Sequence, residues 1–167
     1  VPTAELIGGD GTDTLALNAA AAVALSGAAA FEAKITGFEK LDVGVVGVDS
    51  VVNLANLDDI NYIITHGAGA GFDLTLDKLV ANTTIELTAA HANPVVATLA
   101  DATGLTDQLN LVTNAANAVN IGTVNADLVE TVAIAVRDTD TSSSVSTNTL
   151  TLDADAAKTI NVSGDGN

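Results

Sequence analysis

The segment that decides the fold is Leu128–Val136, with the sequence LVETVAIAV. An apolar lead-in and two polar residues are followed by apolar residues at every second position, which indicates a β-strand with one buried face. Four other stretches share this shape: GFEKLDVGV (37–45), LDDINYIIT (57–65), VANTTIELT (80–88) and AAKTINVSG (156–164). A shape repeated this often indicates that one structural unit is used several times.

The repeats have a roughly constant spacing. Their apolar anchors lie 19, 25, 24, 23 and 28 residues apart, at Leu41, Ile60, Ile85, Leu109, Val132 and Ile160. Spacings in the twenties predict an all-β, parallel β-solenoid or β-helix with Asn, Asp and Gly in its turns, one unit per coil. The irregular spacing leaves a β-sandwich of short antiparallel strands as the alternative.

The composition suits a narrow, repetitive core. Of the 167 residues, 48% are hydrophobic but only 2% are aromatic, so Val, Ile, Leu and Ala must fill the interior. We expect a single domain over 1–167, divided into a glycine-rich turn (7–17), an Ala-rich segment (18–37) and β-repeats (38–167). Because Ala is the best helix former, a short helix is expected between Ala19 and Ala33, and the alternative is a strand that ends near Leu17 followed by a loop packed on the solenoid. The segment 73–81 fits either a helix or a strand.

The chain is strongly acidic. It has 21 acidic and 5 basic residues, a formal net charge of −16 and no cysteine. Nucleic acid is therefore not an expected partner, since phosphate binding needs clustered Lys or Arg. No apolar run is long enough to insert into a membrane. The charge indicates either simple solubility or the binding of hard divalent cations.

The segment Gly8–Ala16, GGDGTDTLA, matches the nonapeptide Gly-Gly-x-Gly-x-Asp-x-apolar-x at every specified position. Its glycines permit a tight turn whose carbonyls point to one centre, and an aspartate adds a carboxylate. Calcium takes six to eight such oxygens. We therefore predict a Ca²⁺ site that uses Gly8, Asp10, Gly11 and Asp13, with a plain Gly/Asp turn as the alternative.

This nonapeptide resembles that of RTX (repeats-in-toxin) proteins. The rest is similar to calcium-dependent surface-layer (S-layer) proteins of Gram-negative bacteria and to related giant adhesins, through ITGFEKLDV, DATGLTDQLNL, LVETVAIAVRDTDT and NTLTLDADAAKTINVSGDG. The resemblance implies a secreted, extracellular protein of the cell surface, exported by type I secretion, that folds when it meets calcium. It also implies that a full site is shared between two successive turns. The single nonapeptide departs from the tandem blocks of the toxin members.

Other aspartates have spacings that can converge on a cation in a turn. Asp138 and Asp140 lie two residues apart in RDTDT, and Asp153 and Asp155 repeat that spacing. Asp101 and Asp107 flank a glycine turn before a strand. We predict Asp138, Asp140, Asp153, Asp101 and Asp107 as further metal ligands, with solvated turns or strand faces as the alternative.

No catalytic motif stands out. His66 and His91 lack the spacing of a zinc helix and are predicted to be loop residues, and GAGAG (67–71) lacks the Lys of a phosphate loop. We therefore predict that the chain is not an enzyme. A polysaccharide-active β-helix remains an alternative, although five basic residues and one Tyr disfavour it.

The predicted function is a calcium-binding structural module, excised from a larger S-layer protein, whose lattice is stabilised by calcium. A segment of a large RTX adhesin or toxin is the alternative. The expected partners are calcium ions, further copies or neighbouring domains of the same protein, and cell-surface polysaccharide.

Overall fold

A computed structural model describes residues 2–115, 118–139 and 147–164. The chain winds into a parallel β-solenoid of about six turns. Every pair of strands within the described ranges is parallel. The predicted solenoid is therefore confirmed, and the β-sandwich alternative is wrong because it requires antiparallel pairs.

The solenoid is built from two long sheets and one small one. In chain order the described strands are β1 (Leu6–Ile7), β2 (Thr14–Ala16), β3 (Ile35–Thr36), β4 (Lys40–Asp42), β5 (Ser50–Asn53), β6 (Tyr62–Thr65), β7 (Leu74–Leu79), β8 (Thr84–Leu87), β9 (Val95–Leu99), β10 (Gln108–Ala115), β11 (Asn120–Asn125), β12 (Thr131–Asp138), β13 (Thr149–Asp153) and β14 (Thr159–Gly164). The seven-stranded sheet has the order β14-β12-β10-β8-β6-β4-β2, and the five-stranded sheet has the order β13-β11-β9-β7-β5. From β4 onward, successive strands alternate between these sheets, so each coil contributes one strand to each.

The strand register corrects two steps of the predicted spacing. Leu111, and not Leu109, pairs with Ile85, so Leu109 belongs to a neighbouring inward column. Ile63, and not Ile60, pairs with Leu41 on one side and with Ile85 on the other. Ile63 is the correct anchor because strand residues alternate between faces and only it continues the inward column. The segment 73–81, for which helix and strand were both open, contains β7, a strand of the five-stranded sheet.

The core lies between the two long sheets and consists of stacked aliphatic side chains. Leu41, Ile63, Ile85 and Leu111 form one fully buried column on the seven-stranded sheet. Leu76 and Val52 occupy the facing sheet and are also fully buried. Because facing sheets are about 10 Å apart, branched side chains of this size fill the space without aromatics.

Helices close the N-terminal end of the five-stranded sheet. The predicted Ala-rich helix is present as α1 (Ala19–Ser26), followed by α2 (Ala29–Glu32). The side chain of Asn18 caps α1 by accepting the Ala21 amide at 2.9 Å. The hydroxyl of Ser26 accepts the amide of Asn53 at 3.1 Å, which ties α1 to the edge of β5. A short 3-10 turn, Leu54–Asn56, lies beside them.

The described helices are short. Among the residues that the structure describes, no helix combines the length and the apolar character needed to cross a membrane.

Candidate metal centre

The glycine-rich nonapeptide forms the turn between β1 and β2. Gly9 and Gly11 have φ angles of +102° and +120°, a region that side chains rarely adopt. A Cβ atom on Gly8 would lie 2.0 Å from the carbonyl oxygen of Gly37 on the next coil. Glycine is therefore required both for the course of this turn and for its close stacking on the following turn.

Asp13 ends this turn with a buried carboxylate oxygen. Its backbone amide donates to Oε2 of Glu39 at 2.8 Å. Its own Oδ2 is buried and has no hydrogen-bond partner among the described residues. A buried carboxylate oxygen without a partner is unfavourable unless a cation or a proton compensates it. The residues present therefore fit a cation between the first two coils.

The other predicted ligands lie in the same turn as Asp13, but they are less buried than its Oδ2 atom. Asp10 and Gly11 are exposed, and Gly8 is partly buried. Within the described ranges, no group of three or more Asp, Glu or His side chains is placed to hold a metal ion. A cation at Asp13 would therefore need backbone carbonyls of the turn for most of its ligands, as calcium accepts.

The same arrangement recurs four coils later. The amide of Asp107 donates to Oε2 of Glu130 at 3.1 Å, and Oδ2 of Asp107 is buried without a partner among the described residues. Glu130 is only 8% exposed. A Cβ atom on Gly104 would lie 2.6 Å from the Asp107 carboxylate, so a side chain there would displace that carboxylate.

Asp101 lies with Asp107 at one cavity of about 310 Å³, which Gly104 also lines. The Oδ1 atom of Asp101 accepts the amide of Thr103 at 3.0 Å and its hydroxyl at 2.6 Å. These hydrogen bonds hold the pKa of Asp101 below its ordinary value. The structure thus brings these two predicted ligands to the same cavity. The Oδ1 atom of Asp101 already accepts hydrogen bonds from Thr103 in its own turn.

The C-terminal predicted ligands are distributed over both sheets. Asp138 is the last residue of β12, where its backbone pairs with Ala115. Asp153 is exposed at the end of β13 and pairs with Asn125 in the five-stranded sheet. Asp140 lies outside the described residues. Asp138 and Asp153 therefore belong to different sheets.

Sequence reasoning missed Glu39 and Glu130. Each lies two residues before an inward-facing anchor, directly after a coil that has an aspartate at the same position. The pairs GTDTL with GFEKL, and LTDQL with LVETV, carry this signal in the sequence. Only an alignment of successive coils in their true register makes it visible.

The two histidines differ sharply in environment. Both lie outside the strands, but His91 is 4% exposed and its Nε2 is 3.1 Å from Oγ1 of Thr65. Burial lowers the pKa of His91 from 6.5 to about 4. His66 is exposed, with Nε2 3.1 Å from Oδ2 of Asp42 and Nδ1 2.9 Å from Oγ1 of Thr88. The contacts of His66 link three successive coils through polar side chains.

Neither a scan of protein-family models nor a search of curated proteins finds a match to this chain. The resemblance to RTX and S-layer proteins therefore rests on the residues themselves.

Proposed function

We propose that this chain is a calcium-binding structural module of a secreted bacterial surface protein of the S-layer type. One observation carries the proposal: the nonapeptide turn ends in a buried Asp13 oxygen that no described residue compensates. Calcium is the cation that best fits a glycine turn rich in carbonyl oxygens and poor in convergent side chains.

The turn lies where one ion can act on two coils. Gly8 packs against Gly37, and Asp13 is hydrogen-bonded to Glu39. A cation at Asp13 would therefore stabilise the contact between the first and second coils. The resemblance to RTX proteins supports the same arrangement, because it implies sites shared by successive turns. Binding to the folded state alone would stabilise the solenoid by mass action.

Charge supports a structural role for bound cations. The net charge of −16 opposes compaction and association until it is neutralised. On this proposal, calcium outside the cell completes folding after type I secretion and allows contact with further copies, neighbouring domains or surface polysaccharide. The module sets the shape of the surface protein and the distance between its neighbouring domains, and it has no catalytic role of its own.

Isothermal titration of chelator-treated protein with calcium tests the proposal. The parent chain is expected to bind calcium, and Asp13→Asn is expected to weaken the affinity by at least about tenfold, which corresponds to about 1.4 kcal/mol. Asp59→Asn is the matched control because it removes the same charge from an exposed turn, and it should leave the affinity within about twofold. Absence of binding at millimolar calcium, or equal losses in both variants, would refute the proposal.

A further inference from the structure

Two cavities adjoin at the corner of the solenoid where the chain passes from the five-stranded sheet back to the seven-stranded sheet. Their volumes are about 410 Å³ and about 310 Å³. Val80 and Ala100 line both of them, so the two cavities form one continuous groove. Its walls come from α2, from the end of β7 and from the loops that follow β5, β7 and β9.

The length of this groove suits an extended chain. Its walls belong to α2 and to three successive coils. Because neighbouring levels of a solenoid are about 4.8 Å apart and an extended peptide advances about 3.3 Å per residue, the groove spans roughly 15 Å and accommodates about five residues. The groove therefore has the dimensions of a short extended segment.

The groove is more acidic than the chain as a whole. The two cavities have seven and ten lining residues and share two, and five of these fifteen are acidic: Glu32, Asp58, Asp59, Asp101 and Asp107. Over the whole chain, 21 of 167 residues are acidic, which is one in eight and not one in three. Lys78 is the one basic residue among the described lining residues, and it forms no ion pair with a described carboxylate.

The negative charge lies both at the rim and in the wall of the groove. The side chains of Glu32, Asp59 and Asp101 are at exposed positions at the rim. In the wall, Oδ2 of Asp107 is buried without a partner among the described residues. Its charge is therefore poorly compensated, which strengthens the negative potential inside the groove. The groove consequently favours a cationic occupant.

An exposed apolar surface lies between these carboxylates. Val80 is 53% exposed where the two cavities meet, and Ala100 beside it is also exposed. Leu105, which follows Gly104 in the wall of the smaller cavity, is 76% exposed. Side chains of an extended chain alternate between its two sides. One segment can therefore cover Val80 with apolar side chains and direct basic side chains to the carboxylates.

From this combination of length, charge and apolar surface we propose that the groove binds an extended, basic segment of a partner protein. A second copy of this chain is a poor occupant, because it has the same net charge of −16 and only five basic residues. A polysaccharide is disfavoured because the described lining includes no aromatic side chain on which a sugar ring can stack. The proposal goes beyond the structural function and does not depend on calcium binding by the nonapeptide turn.

Isothermal titration of the full chain in millimolar calcium with the capped peptide Lys-Leu-Lys-Leu-Lys tests the role of charge. We expect saturable binding with a Kd below about 1 mM. The double variant Glu32→Gln and Asp59→Asn removes two carboxylates from the groove and should weaken this affinity at least about fivefold. The matched control is Asp49→Asn with Asp73→Asn, at exposed positions of the opposite corner, where asparagine keeps the acceptor oxygens. The control should stay within about twofold of the parent chain.

A second pair of variants tests the apolar surface. Val80→Ala should weaken binding of the peptide about threefold, because less apolar area is covered. Val45→Ala is its control, since Val45 is 66% exposed in a loop of the opposite corner, and it should bind like the parent chain. Circular dichroism confirms that each variant is folded, which the exposure of the substituted residues favours.

Three outcomes would overturn the proposal: no saturable binding below about 1 mM, equal losses in the two double variants, or an affinity unchanged by Val80→Ala. A glucosamine tetramer, cationic but without apolar side chains, should bind more weakly than the peptide, and equal affinity would make the occupant a sugar instead. Asp13→Asn should leave the affinity for the peptide within about twofold, since Asp13 lies outside the groove. Failure of this proposal is therefore distinguishable from failure of the calcium proposal.

Discussion

The amide of Asp13 donates to the carboxylate of Glu39 on the next coil at 2.8 Å. Asp107 and Glu130 repeat the same relationship at 3.1 Å. In both pairs the glutamate receives a backbone N–H that would otherwise lie unpaired at the entrance to a strand. In both pairs the aspartate retains a buried oxygen without a described partner. The same contact thus occurs twice in the solenoid: a glutamate carboxylate of one coil accepts a backbone N–H from the turn of the preceding coil.

The Glu130 contact should contribute measurably to stability. Glu130→Ala leaves the amide of Asp107 without its acceptor, and we expect a loss of about 1–3 kcal/mol in the free energy of unfolding. Glu130→Gln retains an acceptor oxygen and should lose less. Urea unfolding monitored by circular dichroism measures both values. Equal losses in the two variants would show that the charge, and not the hydrogen bond, is what matters.

Gly122 should tolerate no side chain. Its φ angle is +100°, and a Cβ atom would lie 2.3 Å from the carbonyl oxygen of His91. We expect Gly122→Ala to cost more than about 2 kcal/mol, from clash and backbone strain together. Gly47→Ala is the control, because a Cβ atom there meets open space. A Gly122→Ala variant with the urea midpoint of the parent chain would contradict the close approach of Gly122 to the carbonyl oxygen of His91.

Burial of His91 predicts a loss of stability in acid. The pKa of His91 is about 4 in the folded chain, against 6.5 for an unperturbed histidine, because burial disfavours the charged form. Between these pH values the unfolded chain binds more protons, so stability should fall as the pH drops from about 6.5 to 4. The two pKa values correspond to a loss of about 3 kcal/mol by pH 4.

The effect is measured as a difference between variants, because carboxylates also titrate in this range. We expect His91→Gln to reduce the pH dependence of the free energy of urea unfolding. A parent chain and a His91→Gln variant with parallel profiles between pH 7 and 4 would show that His91 is not desolvated in solution.

Much of the architecture can be predicted from the sequence. Alternation in segments such as Leu128–Val136, repeated at intervals in the twenties, predicts parallel coils, and the alanines after Asn18 predict α1. The misplacement of the anchors Ile60 and Leu109 has a clear cause. Each coil contains two strands, and spacing alone does not reveal which apolar residue of LDDINYIIT faces inward until its neighbours are paired.

The candidate site was predictable only in part. The nonapeptide makes Asp13 a candidate ligand because its spacing is specific, whereas Glu39 and Glu130 look like ordinary solvated residues before a strand. Each glutamate accepts a backbone N–H from the preceding coil, and this contact can be recognised only when the strand register between the two coils is known. The burial of His91 was missed for the same reason, since a polar segment such as TAAHANP gives no local sign that the next coil will cover it.

The central claim is that calcium rigidifies this solenoid, and thermal unfolding followed by circular dichroism tests it most directly. The parent chain is compared in millimolar calcium, in excess chelator and in millimolar magnesium, beside Asp13→Asn. We expect a rise in melting temperature that is specific to calcium and largely lost in Asp13→Asn. A melting temperature that is the same under all three conditions would contradict it, and the glycine turn would then be a turn without a metal.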